Sequence, residues 1–141
     1  KLVAVKMPDS ITEIPDYCFS KCKSLSNVCL PIAVEKIGIN AFENCTSLKN
    51  ITIPKSVTTI GMFAFYESGL ESAVFDDLLN WNRAIKYTSY GVEYVKNEES
   101  LGNKLSNANT AAEILKDNTK ITYNTNNVTG QTAGYTLYKN K

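Results

Sequence analysis

The sequence contains no histidine. That absence excludes Ser-His-Asp and Cys-His nucleophile systems and catalytic zinc held by imidazole. Acid–base chemistry would fall to carboxylates, Lys, Tyr or Cys. A dominant charge is also lacking. The net charge is +1 over 141 residues, with 7 Lys against 7 acids in residues 1–75 and 8 basic residues against 7 acids in residues 76–141. With no basic half, the chain lacks the electrostatic footprint of nucleic-acid binding and of a basic membrane-surface helix. No run approaches the roughly 18 apolar residues of a transmembrane helix, so no membrane insertion is expected. There is no initiator Met, basic n-region or apolar h-region, so no signal peptide is visible. The chain opens inside a repeat, which suggests a piece of a longer protein. What is present, 43% hydrophobic and 21% charged residues, suits one domain or one compact repeat array.

The strongest positive signal is internal repetition. Three rows align: residues 2–24, LVAVKMPDSITEIPDYCFSKCKS; residues 25–47, LSNVCLPIAVEKIGINAFENCTS; and residues 48–69, LKNITIPKSVTTIGMFAFYESG. A fourth begins at Leu70 as LESAVF. Equivalent columns hold Leu2, Leu25, Leu48 and Leu70; Pro8, Pro31 and Pro54; Ile14, Ile37 and Ile60; Phe19, Phe42 and Phe65. Each row opens with an alternating segment, the pattern of a strand with one buried face. Val5/Met7, Val28/Leu30, Ile51/Ile53 and Ala73/Phe75 are expected inward. Ala4/Lys6, Asn27/Cys29, Asn50/Thr52 and Ser72/Val74 are expected outward. A Pro suits the end of each of the first three strands because it has no N–H for the ladder. The return segment should bury Val57 and Ile60, and a short helical turn such as MFAFYES should bury Ala64 and Phe65. One such row cannot bury its apolar face alone, so the rows must stack and share a core.

The cysteines fit this frame. Cys22 and Cys45 share a column in which the third row has Ser68; Cys18 replaces the Ala of Ala41 and Ala64; Cys29 is outward. A disulfide or metal site is one reading. Small buried residues of a repeat core are the other, since free Cys packs as a small hydrophobe. There is no C-x-x-C pair to support a metal, and no metal or cofactor is expected. As stacked neighbours, Cys22 and Cys45 satisfy the geometry of a bridge without requiring one.

These rows resemble the BspA-type leucine-rich repeat family, whose mark is L-x-x-V-x-I-P-x-S-V-x-x-I-G-x-x-A-F-x-x-C-x-x in tandem. Residues 48–68 read LKNITIPKSVTTIGMFAFYES, and the resemblance covers residues 2–75. Ser10, Ala33 and Ser56 stand where an ordinary leucine-rich repeat has an Asn or Cys ladder. The resemblance implies a right-handed α/β repeat solenoid with strands on its concave side. It also implies a cell-surface or secreted protein of host-associated anaerobic bacteria or protists, associated with adhesion to host matrix or serum proteins and to other microbes. It brings no catalytic residues.

Composition shifts near Asp76. Residues 76–141 hold 11 of the 15 Asn, and the repeat stops. DDLLNWNRAIKY places Leu78, Trp81 and Ile85 at helical spacing, with Asp76 or Asp77 as cap. Residues 107–118 predict a second helix capped by Asn109 or Thr110. Residues 120–139 predict a β-hairpin with Ile121 and Tyr123 facing Tyr135 and Leu137 across a loop carrying Asn126, Asn127 and Gly130. KNEESLGNKLS between them reads as a polar loop. The expected organisation is a repeat array, 1–75, and an α+β capping region, 76–141, that covers the last row's core.

Three functions compete. The first is a non-enzymatic adhesion or interaction module, extracellular or on the cell surface. It would bind a protein or glycan through the strand face, with Lys6, Asn27, Cys29, Asn50, Thr52 and Ser72 as contact residues. An aromatic platform of Trp81, Tyr87, Tyr90 and Tyr94 is an alternative surface, because aromatics bring large contact area at low entropy cost. The second is a purely structural C-terminal end of a longer array. The third is an enzyme or its accessory region using Asp76, Asp77, Glu98 or Glu99, although adjacent carboxylates do not supply two facing groups at fixed separation. The open edge of the first row also invites self-association, since unpaired strand edges are sticky.

Overall fold

Each Pro that ends a strand also begins a turn. The carbonyls of Pro8, Pro31 and Pro54 accept the N–H groups of Ile11, Val34 and Val57 at 3.1–3.2 Å, closing three β-turns of the same form. The chain therefore reverses direction once per row, and each row carries two short strands. The computed structural model describes the backbone of residues 2–89, 92–98, 100–116, 121–125, 128–133 and 135–139. It describes the side chains of residues 2–84, 100–116 and 135–139.

The opening strands are β1 (Ala4–Lys6), β3 (Asn27–Cys29), β5 (Asn50–Ile53) and β7 (Ser72–Phe75), and the return strands are β2 (Glu13–Ile14), β4 (Lys36–Ile37) and β6 (Thr59–Ile60). β1 pairs with β3 in parallel, Ala4 opposite Asn27, and β5 pairs with β7 in parallel, Asn50 opposite Ser72. The return strands form a parallel ladder, Ile14 opposite Ile37 and Ile37 opposite Ile60. Partners are one repeat apart, so each column read from the sequence is a stack in space. The alternation holds: Leu30, Ile51, Ile53, Ala73 and Phe75 are buried, while Lys6, Asn27, Cys29, Asn50, Thr52 and Val74 are exposed.

The third side of each row departs from expectation. MFAFYES and its counterparts form consecutive β-turns and not a helical turn. Alternate N–H groups bond within the row, as in Cys18 to Pro15 and Cys22 to Phe19. The others reach the next row: Tyr17, Phe19 and Lys21 donate to Ile39, Ala41 and Glu43, and Asn40, Phe42 and Asn44 donate to Met62, Ala64 and Tyr66, at 2.7–3.1 Å. A helix would direct all of these donors along its own axis. Turning half of them sideways requires a left-handed residue every fourth position. Tyr17, Lys21, Asn40, Asn44, Phe63 and Glu67 all have φ between 54° and 63°, a conformation costing roughly 1–2 kcal/mol per non-glycine residue. The row-to-row bonds offset that cost. Phe19, Phe42 and Phe65 stack between rows with centroids 5.3 and 5.2 Å apart.

Residues 76–89 are not a helix. Asp77 Oδ1 accepts the Leu79 N–H at 3.0 Å; the side chain read as a helix cap closes a local turn instead. Asn80 follows with φ 63°, and the chain enters β8 (Trp81–Ser89), which pairs antiparallel with β9 (Val92–Glu98). The polar loop expected over 96–106 is also structured. Its start lies in β9, and α1 (Gly102–Leu105) follows, with Leu101 and Leu105 buried. The second helix is where expected, α2 (Ala108–Lys116), but its first turn is capped by Asn107, whose Oδ1 accepts from Asn109 and Thr110 at 3.0 and 3.1 Å.

The hairpin has a different second strand. β10 (Ile121–Thr125) pairs with β11 (Val128–Ala133), placing Ile121 opposite Ala133 and Tyr123 opposite Gln131. Gly130 lies within β11; Asn126 and Asn127 lie outside the described residues. β12 (Tyr135–Lys139) instead crosses back to the repeats and inserts between β6 and β8, with Leu137 opposite Ile60 on one side and Arg83 on the other. The result is one mixed sheet in the order β2-β4-β6-β12-β8-β9. α2 packs against β7, and Lys116 Nζ donates to the Leu70 carbonyl at 3.0 Å. The Tyr135 hydroxyl donates to the Ile114 carbonyl, tying β12 to α2.

Candidate functional site

The outward positions of the opening strands form the candidate site. Side chains two residues apart on a strand share a face about 6.6 Å apart, and paired strands are about 4.8 Å apart. Lys6 lies opposite Cys29 and Ala4 opposite Asn27 on the first pair, and Asn50 lies opposite Ser72 and Thr52 opposite Val74 on the second. β3 and β5 are neighbours without a hydrogen-bonded ladder between them, so the face consists of two adjoining ribbons. All six proposed contact residues lie on it, five exposed and Ser72 partly so. Val74, omitted from the sequence-derived site, belongs with them. It is an apolar side chain 49% exposed beside Thr52, and the period-2 alternation already placed it outward. Apart from Lys6, the face carries amide, hydroxyl, thiol and aliphatic groups. It can donate and accept hydrogen bonds without a strong field. The ion pairs between neighbouring rows, Lys36–Glu13 at 3.6 Å and Lys49–Glu71 at 3.9 Å, lie outside this set and are well exposed, where such pairs contribute little.

The aromatic alternative divides. Trp81 is 1% exposed and belongs to the core. Its indole N–H donates to the Asp77 carbonyl at 2.9 Å, its ring meets Phe75 edge-on at 5.2 Å, and the Lys139 ammonium lies 5.4 Å from its centroid. It offers no surface to a ligand. Tyr87 and Tyr94 are register partners on β8 and β9; their side chains, and Tyr90, lie outside what is described.

Of the candidate carboxylates, those whose side chains are described, Asp76 and Asp77, are solvated or engaged elsewhere. Asp77 binds Lys139 Nζ at 2.8 Å. That bond, with the Leu79 N–H, holds its carboxyl below the usual range, so it stays ionised and engaged at neutral pH. Asp76 is exposed. Glu98 lies opposite Arg83 on the β8–β9 ladder, and Glu99 lies outside the described residues. A cavity of about 340 Å³ near the β7–β8 turn is lined by Leu78, Leu79, Asn80, Asn82, Ser100, Gly102 and Asn103, none of them titratable. Among the described residues, no group of three or more Cys, Asp or Glu side chains is placed to hold a metal ion, and no helix is long and apolar enough to cross a membrane.

No curated protein and no solved structure matches the chain. Residues 1–91 match the family described as BspA type leucine rich repeat region, in six copies. The match extends past the last repeated strand and covers the whole of β8. Such families are typically non-enzymatic interaction modules of surface or secreted proteins. With its columns stacked in register and two-thirds of its length matched, the chain belongs to the BspA-type leucine-rich repeat family.

Proposed function

We propose that this chain is a non-enzymatic adhesion module of a surface or secreted protein. It binds a host or microbial protein or glycan through the concave strand face of a short solenoid, residues 1–75, closed by a capping region, residues 76–141. The observation that carries this reading is the outward set itself. Asn27, Asn50, Thr52 and Ser72 place hydrogen-bonding groups on strands whose other face is locked in the core. A rigid, preformed array loses little entropy when it binds. Neutral amides and hydroxyls match peptide groups and sugar hydroxyls better than they match a phosphate or a charged surface.

The test is binding of the purified chain to matrix proteins, serum proteins and mucin glycans beside an Asn50→Arg/Thr52→Arg variant. Saturable binding lost in the variant, with an unchanged melting temperature, is the expected result. Binding that the variant retains would move the site off the strand face.

A second reading, a purely structural end of a repeat array, is supported by β12 and α2. The last row would otherwise present an unpaired β6 edge and the uncovered face of β7; β12 pairs with the first and α2 packs on the second. A chain ending before Tyr135 should then unfold or aggregate. If it folds as cooperatively as the parent, β12 is not a cap.

A further inference from the structure

Cys22 and Cys45 occupy one column of adjacent rows. The turn ladder fixes their register, since Phe19 and Lys21 donate to Ala41 and Glu43, and the neighbouring Phe19 and Phe42 rings stack 5.3 Å apart. That 5.3 Å spacing between adjacent rows falls inside the roughly 4.4–6.8 Å Cα window of a disulfide. Cys45 already points the right way. Its thiol donates to the Phe19 carbonyl oxygen of the preceding row at 3.1 Å, and the same oxygen accepts the Cys22 N–H at 3.1 Å. All four cysteines are free thiols in this structure. Cys45 is fully buried, but Cys22 is half-buried and lines a hollow of about 370 Å³ with Leu2, Lys21, Lys23 and Ser24.

We propose that Cys22 and Cys45 form a redox-controlled staple that fixes the first row to the second, closed by a small anionic disulfide such as glutathione disulfide. The two lysines beside Cys22 suit the carboxylates of that reagent. The Cys22 thiolate attacks one sulfur of glutathione disulfide, the S–S bond breaks, and one glutathione thiolate leaves and takes up the proton Cys22 gave to solvent. The Cys45 thiolate then attacks Cys22 Sγ and expels the second glutathione, which is protonated likewise. Two protein thiols become one disulfide while glutathione disulfide is reduced to two thiols. The order follows from access: burial pushes the Cys45 thiol up to about 11, so Cys22 meets the reagent first. The staple would act where the rows are least tightly packed. Val5, Met7, Ile11 and Phe19 remain half-buried, whereas Leu30, Val34 and Phe42 one row on are buried.

The test uses the full chain carrying Cys18→Ser/Cys29→Ser, two exposed positions, treated with glutathione disulfide without denaturant. The expected product is lighter by two hydrogens, gives a peptide linking Cys22 to Cys45, and melts roughly 10 °C higher until dithiothreitol reverses it. Adding Cys45→Ala should stop the reaction at a glutathione adduct on Cys22. No reaction, a persistent adduct with Cys45 present, or a bridge that leaves the melting temperature unchanged would overturn the proposal. A Cys18–Cys22 bridge in the parent chain would overturn it as well.

Discussion

The first and second repeats are written in the same columns, yet they are packed differently. Leu2 is 43% exposed, while Leu25 is fully buried. Cys18 is exposed, while Ala41 is buried, and Phe19 and Cys22 are half-buried, while Phe42 and Cys45 are fully buried. Burial in a stacked fold is set by neighbours, and the second row packs between the first and the third. The far end of the stack meets the same problem with added structure. Leu70, Ala73 and Phe75 are buried as deeply as their counterparts in inner rows, because α2 and β12 take the place of a further repeat. At the near end, Pro15 stands where Gly38 and Gly61 donate to the preceding row at 2.8 Å. Pro has no N–H, so that ladder bond cannot be made from the first row.

The sharpest way to break this comparison is to remove equivalent rings. Phe42→Ala should cost about 3–5 kcal/mol, enough to unfold a small array. Phe19→Ala should cost about 1–2 kcal/mol, because its ring is already part-solvated. Equal losses in urea melts of the two variants would refute neighbour-controlled burial. Next comes the closeness of the rows. A Cβ on Gly38 would lie 2.5 Å from Asp16 N and 2.7 Å from Pro15 C, so Gly38→Ala should destabilise by about 1–3 kcal/mol through overpacking. The glycine is there for space, and an unchanged melting temperature would show that the rows sit farther apart.

Smaller effects sharpen the picture. Ser68 replaces Cys in its column, and its hydroxyl is buried without a hydrogen-bond partner. Ser68→Ala should stabilise the fold by about 1 kcal/mol, and a lower melting temperature would reveal a missed partner. The smallest effect concerns the Asp77–Lys139 bond that fastens β12. The carboxyl titrates lower in the fold than in the unfolded chain. Its contribution is therefore complete above the unfolded value, about 3.9, and lost as pH falls through the folded one. Acid melts of Asp77→Asn should show a shallower loss of stability below about pH 4. An identical acid slope would mean that the bond contributes nothing.

The two halves also differ in how much of them was legible. In residues 1–75, period, alternation and Pro positions each specify local geometry, and the outward face could be named residue by residue. The missed detail, turns in place of a short helix, depends on N–H groups bonding to the next row, which no local pattern encodes. From Asp76 on, the determining contacts are long-range. WNRAIKY alternates as well as it cycles, and pairing of Trp81, Arg83 and Ile85 with Lys139, Leu137 and Tyr135 decides for strand. Nothing near Tyr135 indicates that it pairs with residues 50 positions earlier and not with its sequence neighbour β11. The outward strand face needed only period two; excluding Trp81 from a ligand surface required knowing that Phe75, Asp77 and Lys139 enclose it.

The central claim is that rows stack in register, each protecting the one before it, with residues 135–139 closing the last. Native-state hydrogen exchange measured residue by residue tests it most directly. The account predicts the greatest protection for Phe42, Asn44, Gly61 and Lys139, weaker protection for Tyr17, Phe19 and Lys21, and loss of protection at Lys139 together with Gly61. Uniform protection across the first two rows, or exchange at Lys139 as fast as in a free peptide, would contradict it.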